Sequence, residues 1–266
     1  MKNKYSFIKN GDSIMPIPSG SSYTLIAGKV YELHNTQMNQ PCLSEIEDFI
    51  FPENYYLSES DEKFMDKIIN TYNKTDKLTT GVLFSGLKGS GKTLMAKKTA
   101  IKSNLPIIVI NGSVRAGDIE SFFAQVSDDV CIIMDELDKN WYLPSLLGFF
   151  DGVNPTCKKL ILCTANDEND IYKYFNDEND IDKYFNDRCS RIRYKRTFKS
   201  INKSIVKTVL AEYFDTEEAI EGAAEFCCSA MDVVSYDNVV VFGEEHKNNP
   251  DADFDEILND LNIARR

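Results

Sequence analysis

The stretch GVLFSGLKGSGKTLMAKKTA, residues 81–100, decides the fold. It begins with an apolar run that is typical of a buried strand and ends with a pattern that is typical of an amphipathic helix. Between the two, residues 86–93 fit the spacing G-x-x-x-x-G-K-[ST]. Glycines at these places let backbone N–H groups turn toward a bound anion, and the helix that follows adds its positive end. The stretch therefore predicts a strand, a phosphate-binding loop and a helix in succession.

Two side chains at the end of this loop have the chemistry for a nucleoside triphosphate and its metal ion. Lys92 can reach the β- and γ-phosphates, and Thr93 can ligate Mg²⁺. A glycine-rich turn that fits by chance is the alternative, and the strand before it and the helix after it argue against that. The expected ligands are ATP and Mg²⁺, and the expected phosphate-binding residues are Gly86, Leu87, Lys88, Gly89, Ser90, Gly91, Lys92 and Thr93.

A second apolar run, CIIMDE at residues 131–136, ends in two carboxylates. Asp135 can hold Mg²⁺ through the water shell of the ion, and Glu136 can orient and deprotonate the water that attacks the γ-phosphate. The alternative is a strand that ends in a solvated acidic turn. The phosphate loop upstream favours the catalytic interpretation, with Glu136 as the base.

Apolar runs and helical stretches alternate from about residue 58 to residue 198, with short connections. Because parallel strands need crossovers and are covered on both faces, this predicts an α/β fold, with the parallel sheet of P-loop NTPases and helices on both faces. The predicted domains are a small β-rich N-terminal unit (1–57), the ATPase core (58–197) and a C-terminal helical lid (198–266). In the first, Gly28-Lys29 is predicted to be a hairpin turn. In the last, SYDNVVVFGEEHK is predicted to be a helix, although its valines favour a strand.

Composition limits the function classes. The chain has 266 residues and a formal charge of −12, which argues against a protein whose whole surface follows a nucleic-acid backbone. It has no long apolar run and no apolar segment after its charged start, so we expect no membrane span, no secretory signal and a cytoplasmic location. The seven cysteines form no C-x-x-C pair and the two histidines are far apart, so we expect neither a zinc site nor a disulfide framework.

The order of the motifs resembles that of AAA+ ATPases. LILCTAN at residues 160–166 is a further buried strand and ends in Asn166, and NDRCSRIRY follows at residues 186–194. The resemblance, which covers about Ser58 to Asn262, implies that Asn166 is sensor 1, the amide that positions the lytic water. It implies that Arg188 and Arg191 are arginine fingers that reach the ATP of a neighbouring subunit. From the residues alone, Asn166 could instead cap a helix, and the basic run could be a solvated turn or a nucleic-acid contact.

The resemblance also implies an assembly and an output. Fingers that act on a neighbour require a homo-oligomer, expected as a hexameric ring, whose motions would remodel a protein client that the sequence does not identify. LLGFFDGV and R-x-x-R-I-R look like segments of AAA proteins of large tailed bacteriophages, which would place the protein in the host cytoplasm. The spacing is similar to that of the mitochondrial Rieske-protein translocase. The rivals are a nucleic-acid-handling loader or helicase-like ATPase and an ATP-gated scaffold with little turnover.

Three features depart from the family pattern. Residues 113–118 replace the aromatic pore-loop triplet, which weakens the interpretation as a protein-threading unfoldase, and the lid has no arginine suited to the sensor 2 role. NDENDIYKYF at residues 166–175 is repeated as NDENDIDKYF at residues 176–185, and we expect a break near Asn176-Asp177 with one copy more exposed. Four aromatic residues beyond the acidic pair are predicted to be core, with a substrate-contacting surface as the alternative: Trp141, Tyr142, Phe149 and Phe150.

Overall fold

The computed structural model describes residues 5–18, 24–51, 58–76, 78–151, 157–166 and 192–266. In these residues, nine strands form one sheet in the order β1-β2-β4-β3-β6-β7-β8-β5-β9. The strands are β1 (Tyr5–Asn10), β2 (Ser13–Pro18), β3 (Val30–Asn35), β4 (Pro41–Glu45), β5 (Thr79–Gly86), β6 (Ile107–Ile110), β7 (Val130–Met134), β8 (Lys159–Ala165) and β9 (Tyr194–Phe198).

The centre of the sheet is parallel, as the alternation of strands and helices predicts. β3 pairs with β6, β6 with β7, β7 with β8 and β8 with β5, all in parallel. β7 and β8 are buried over their whole length, which explains why apolar residues follow one another in these strands instead of alternating with polar ones. The predicted α/β fold of the P-loop NTPase type is confirmed.

Helices connect the strands and form the C-terminal part of the chain. The short segment Leu143–Leu146 is a 3-10 helix. The α-helices are α1 (Glu59–Lys74), α2 (Lys92–Lys102), α3 (Ala116–Phe123), α4 (Leu137–Asn140), α5 (Leu147–Asp151), α6 (Lys203–Leu210), α7 (Glu217–Ala230), α8 (Tyr236–Asn248) and α9 (Phe254–Asp260).

The N-terminal strands extend the central sheet. β3 carries β4, β2 and β1 as antiparallel neighbours, and Ile14, Leu33 and Leu43 belong to the same buried cluster as β7 and β8. Gly28 does form a turn, with φ of +79° and a hydrogen bond from Lys29 N to Ile26 O. However, residues 24–29 contain no strand, so the hairpin predicted at this turn is wrong.

The four C-terminal helices each begin after a side chain that caps the helix. The side chains of Asn202, Thr216, Ser235 and Asp253 accept the backbone N–H of the residue three positions later. Each such cap satisfies a backbone donor that the helix itself cannot pair. Ser235 opens α8, so SYDNVVVFGEEHK is helical as predicted.

The chain divides into two compact units. The first comprises Met1–Ile50, Glu59–Ser85 and Thr93–Arg196, and the second comprises Phe51–Ser58, Gly86–Lys92 and Thr197–Arg266. Each has its own apolar cluster. The division into domains 1–57, 58–197 and 198–266 stays a prediction.

Buried aromatic and sulfur-containing side chains fill the first unit. Phe149 and Phe150 are buried in its core, and Trp141 packs against that core, whereas Tyr142 is 68% exposed. The core prediction therefore fails for Tyr142. Among the described residues, five cysteines of the chain are buried: Cys42, Cys131, Cys157, Cys163 and Cys227.

The described helices include none with the length and apolar character that crossing a bilayer requires.

Substitution of one buried strand residue tests this core. Ile132 of β7 is fully buried, so Ile132→Ala should lower the free energy of unfolding by about 2–5 kcal/mol through lost burial and a cavity. Ile101 of α2 is 43% exposed, and Ile101→Ala should change it by less than about 0.5 kcal/mol. Urea unfolding, followed by the fluorescence of Trp141, measures both, and equal midpoints would contradict the assignment of β7 to the core.

Candidate functional site

The candidate site of the first unit lies where neighbouring parallel strands end. The register pairs Phe84 of β5 with Thr164 of β8, and Met134 of β7 with Cys163 of β8. The two carboxylates that follow β7 are therefore placed beside the end of β8. Ligands of open α/β sheets bind outside the carboxyl ends of the strands, so this is the edge where a ligand is expected.

One carboxylate oxygen of Asp135 is hydrogen-bonded to both α2 and β8. Its Oδ1 accepts a hydrogen bond from the Thr93 hydroxyl at 2.8 Å and another from the Thr164 hydroxyl at 2.5 Å. The Asn140 side chain donates to the Asp135 backbone oxygen at 2.9 Å. Thr93 lies in the first turn of α2 and Thr164 near the end of β8, so the Asp135 carboxylate is fixed from two sides.

Glu136 has a backbone conformation that is uncommon for a residue with a side chain. Its φ of 49° and ψ of 53° are left-handed, which costs of the order of 1–2 kcal/mol for a non-glycine residue. Its N–H donates to the Thr164 hydroxyl oxygen at 2.9 Å, and this bond holds the turn. The strained turn redirects the chain from β7 into α4.

The Glu136 carboxylate is held by two donors. Its Oε1 accepts from Lys139 Nζ at 2.6 Å and from Asn166 Nδ2 at 3.3 Å. The ammonium of Lys139 has its pKa raised above the ordinary value, chiefly by the hydrogen bond to Glu136. Glu136 and Asn166, which were predicted from separate motifs, are thus in direct contact at the carboxyl ends of β7 and β8.

Asp138 supports the backbone of Asn166. Its side chain is buried, and its Oδ2 accepts from the Asn166 N–H at 3.4 Å. Its Oδ1 is also buried and has no hydrogen-bond partner within the described residues. The amide of Asn166 is therefore positioned by a backbone contact as well as by its own side-chain bond.

The phosphate loop lies in the second compact unit, and its first glycine makes a close backbone contact. Gly86 has φ of +123°, and a Cβ there would lie 2.0 Å from the carbonyl oxygen of Phe198. Leu87 N donates to that same oxygen at 3.2 Å. A side chain at position 86 would therefore displace the loop from β9.

The loop lysine is folded along its own backbone. Lys92 Nζ donates to Gly86 O at 2.7 Å and to Leu87 O at 2.6 Å, and the Ser90 hydroxyl also donates to Leu87 O at 2.6 Å. Lys92 is only 8% exposed. These bonds hold a buried ammonium against the carbonyl groups at the start of the loop.

The start of α8 contacts the middle of the loop. Asp237 N donates to Gly89 O at 3.2 Å, and a Cβ at Gly89 would lie 2.7 Å from Asp237 Oδ2. Gly89 has φ of +67°, so both its conformation and its surroundings require glycine. The C-terminal helices thus bring a carboxylate to the loop.

The structure brings together the predicted residues Thr93, Asp135, Glu136 and Asn166 in the first unit, and Gly86–Lys92 in the second. Sequence reasoning missed Thr164, Asp138 and Asp237. A threonine two residues before Asn166 in an otherwise apolar strand is the signal that could have indicated Thr164. Arg188, Arg191 and the repeat from residue 167 onward lie outside the described residues.

Residues 82–186 match the family described as ATPase family associated with various cellular activities (AAA). The matched segment runs from β5 to beyond β8 and includes the phosphate loop, the acidic pair and Asn166. It supports an ATPase of the AAA+ class with a nucleotide-binding P-loop. No curated protein matches the chain.

Replacement of threonine by valine should change the free energy of unfolding differently at two buried threonines, one in β8 and one in β5. Thr164→Val removes the hydroxyl that donates to Asp135 and leaves the Glu136 N–H without its partner, so the free energy of unfolding should fall by about 1–3 kcal/mol. Thr80 of β5 is 1% exposed, and its hydroxyl has no hydrogen-bond partner among the described residues. Thr80→Val should therefore be neutral or stabilising.

Chemical unfolding of both variants measures this difference. If Thr164→Val is as stable as Thr80→Val, the Thr164 hydroxyl does not hold the acidic pair.

Proposed function

We propose that this chain is an ATPase of the AAA+ class that binds ATP with Mg²⁺ and hydrolyses it, with Glu136 as the base. The observation that carries the proposal is the position of the acidic pair. Asp135 is hydrogen-bonded to Thr93, the residue that follows the loop lysine, while Glu136 is hydrogen-bonded to Asn166. Four side chains predicted from three separate motifs thus occupy one edge of one sheet.

Lys92 and the loop backbone would bind the phosphates. The Lys92 ammonium already donates to two loop carbonyls, and a phosphate oxygen is a stronger acceptor because it is charged. The N–H groups of residues 88–93 would supply further donors at the start of α2, where the helix dipole favours negative charge. The affinity for ATP, before any reaction takes place, would therefore depend on Lys92.

Thr93 and Asp135 fit a Mg²⁺ ion. Both supply oxygen ligands, which are the ones Mg²⁺ prefers, and their side-chain oxygens are 2.8 Å apart. These two side chains would hold the ion, which would supply positive charge to offset that of the phosphates. Thr164 would keep the Asp135 carboxylate in place for this role.

Glu136 and Asn166 would act on the attacking water. Asn166 Nδ2 donates to Glu136 Oε1, so the amide and the carboxylate are close enough to share one water molecule. Lys139 donates to the same oxygen and limits the directions in which the carboxylate can point. Electrostatic positioning of this kind supplies most of the rate in phosphoryl transfer.

The assembly and the output follow from the family resemblance. Arg188 and Arg191 would complete the site of a neighbouring subunit in a homo-oligomer, most simply a hexameric ring, and hydrolysis would drive remodelling of a protein client. We also retain as proposals the cytoplasmic location and the kinship with phage AAA proteins and the Rieske-protein translocase. The domain boundaries 1–57, 58–197 and 198–266 belong to this proposal.

Two substitutions separate binding from chemistry. Lys92→Ala should weaken ATP binding by about 10- to 100-fold, because it removes charge-assisted hydrogen bonds. Glu136→Gln should leave the affinity within about threefold but lower turnover by about 10²- to 10⁴-fold, because the base acts during the reaction. Binding of a fluorescent ATP analogue and phosphate release give the two quantities.

Lys247→Ala is the control. Lys247 is an exposed cation in the last turn of α8 and belongs to none of the site motifs, so both quantities should stay near the parental values. Parental turnover in Glu136→Gln would exclude the assignment of the base. ATP binding by the parental chain with negligible phosphate release would instead favour the rival, an ATP-gated scaffold.

Mixing tests whether Arg188 acts on a neighbour. Arg188→Ala and Glu136→Gln would each inactivate their own assembly, but a mixed assembly contains interfaces that pair an intact Arg188 with an intact Glu136. Phosphate release should therefore be higher in the mixture than in either pure variant. Absence of recovery at every mixing ratio would mean that Arg188 does not act in trans.

A further inference from the structure

A polar groove of the first unit lies along α1, away from the acidic pair. It has a volume of about 610 Å³ and is open to solvent. We name it the α1 groove, and its principal lining residues are Lys63, Asp66, Lys67, Asn70, Lys74 and Arg193. All the side chains that line it end in charged, hydroxyl or amide groups.

The positive charges of the α1 groove are only partly compensated. Lys63 pairs with Glu59 at 2.5 Å, and the carboxylate of Asp66 pairs with Lys102 at 2.8 Å. Across the described part of the chain, no carboxylate lies within ion-pair distance of three groove cations: Lys67, Lys74 and Arg193. On a chain with a formal charge of −12, three such cations in one groove form a local positive surface that attracts an anionic partner.

The spacing of the side chains favours an extended anion. Lys63, Lys67, Asn70 and Lys74 are spaced by four, three and four residues, so they follow one face of α1. The stripe from Lys63 to Lys74 is about 16 Å long at 1.5 Å per residue. One strand of a DNA duplex carries a phosphate about every 3.4 Å along the axis, so the stripe spans several phosphates.

The aromatic ring nearest in sequence to Arg193, that of Tyr194, is not among the lining side chains and is already engaged. Lys67 Nζ lies 5.7 Å from the centre of the Tyr194 ring, and the Tyr194 hydroxyl is hydrogen-bonded to Thr71 at 2.6 Å. Proteins that bind single strands combine a positive groove with aromatic rings on which bases stack. A groove without such a ring favours contact with a duplex backbone over contact with splayed bases.

We propose that the α1 groove binds the phosphate backbone of double-stranded nucleic acid without reading its sequence. Lys67, Lys74 and Arg193 supply the charge, and Asn70 supplies a neutral donor, which is the set of groups that contacts phosphates in protein–DNA interfaces. An acidic peptide is the competing partner, but acidic motifs are typically bound by clusters of arginines, and Arg193 is the one arginine among the lining residues of this groove. Repulsion between the duplex and the acidic rest of the chain keeps the binding weak. Because the contacts are electrostatic, the affinity depends on the salt concentration.

The test measures binding of the full chain to a labelled 20-base-pair duplex of random sequence over a series of salt concentrations, without nucleotide. Three phosphate contacts predict a slope of log affinity against log salt of about −2.7. The double variant Lys67→Gln with Lys74→Gln should reduce the slope to about −0.9 and weaken binding by more than about tenfold at 0.1 M salt. Arg193→Gln alone should reduce the slope by about one third.

Lys247→Gln is the matched control, because Lys247 is an exposed cation of α8 outside the groove, and it should change neither slope nor affinity. Urea unfolding of each variant confirms that it is folded. Parental binding by the double variant, or no duplex binding at 50 mM salt, would overturn the proposal. Equal affinity for a polyglutamate peptide that competes with the duplex would assign the groove to an acidic protein instead. Because no step involves ATP, these outcomes are independent of the proposed ATPase.

Discussion

The Thr164 hydroxyl is the contact on which the candidate site depends. It donates to Asp135 and accepts the N–H of Glu136, so one buried oxygen fixes both members of the acidic pair. Thr164 reaches them because β7 and β8 are paired in register up to Met134 and Cys163. A slip of one residue in β8 would turn the Thr164 side chain to the other face of the sheet. The register of two buried strands therefore sets the geometry of the acidic pair.

The fold could be predicted where local signals decide it. The alternation of buried strands and helices predicted the central sheet, and the absence of further strand-like runs after residue 198 predicted a helical C-terminal part. The structure adds the caps, such as Ser235 and Asp253, at which these helices begin. The pairing of β3 with β6 could not be predicted, because it joins segments that are far apart in the sequence and no local pattern specifies a strand's neighbour. The same limit explains the hairpin that was wrongly expected at Gly28.

The site was predictable to the extent that its residues sit in short motifs. Lys92, Asp135 and Glu136 follow from fixed spacing, whereas the roles of Thr164 and Asp237 depend on register and on tertiary contact. The ion pair of Lys139 with Glu136 is a different case. The two residues are three positions apart at the start of a helix, a spacing at which side chains meet, so this contact could have been inferred.

The buried cysteines give the sheet a chemical property of its own. Burial raises the pKa of Cys131 and of Cys163 above the ordinary thiol range, and these two residues lie in the neighbouring strands β7 and β8. Because thiolates are the reactive form, an alkylating reagent reaches them only when the strands separate. The rate at which the two thiols are alkylated under native conditions therefore reports how often the sheet opens at β7 and β8, the strands next to the acidic pair.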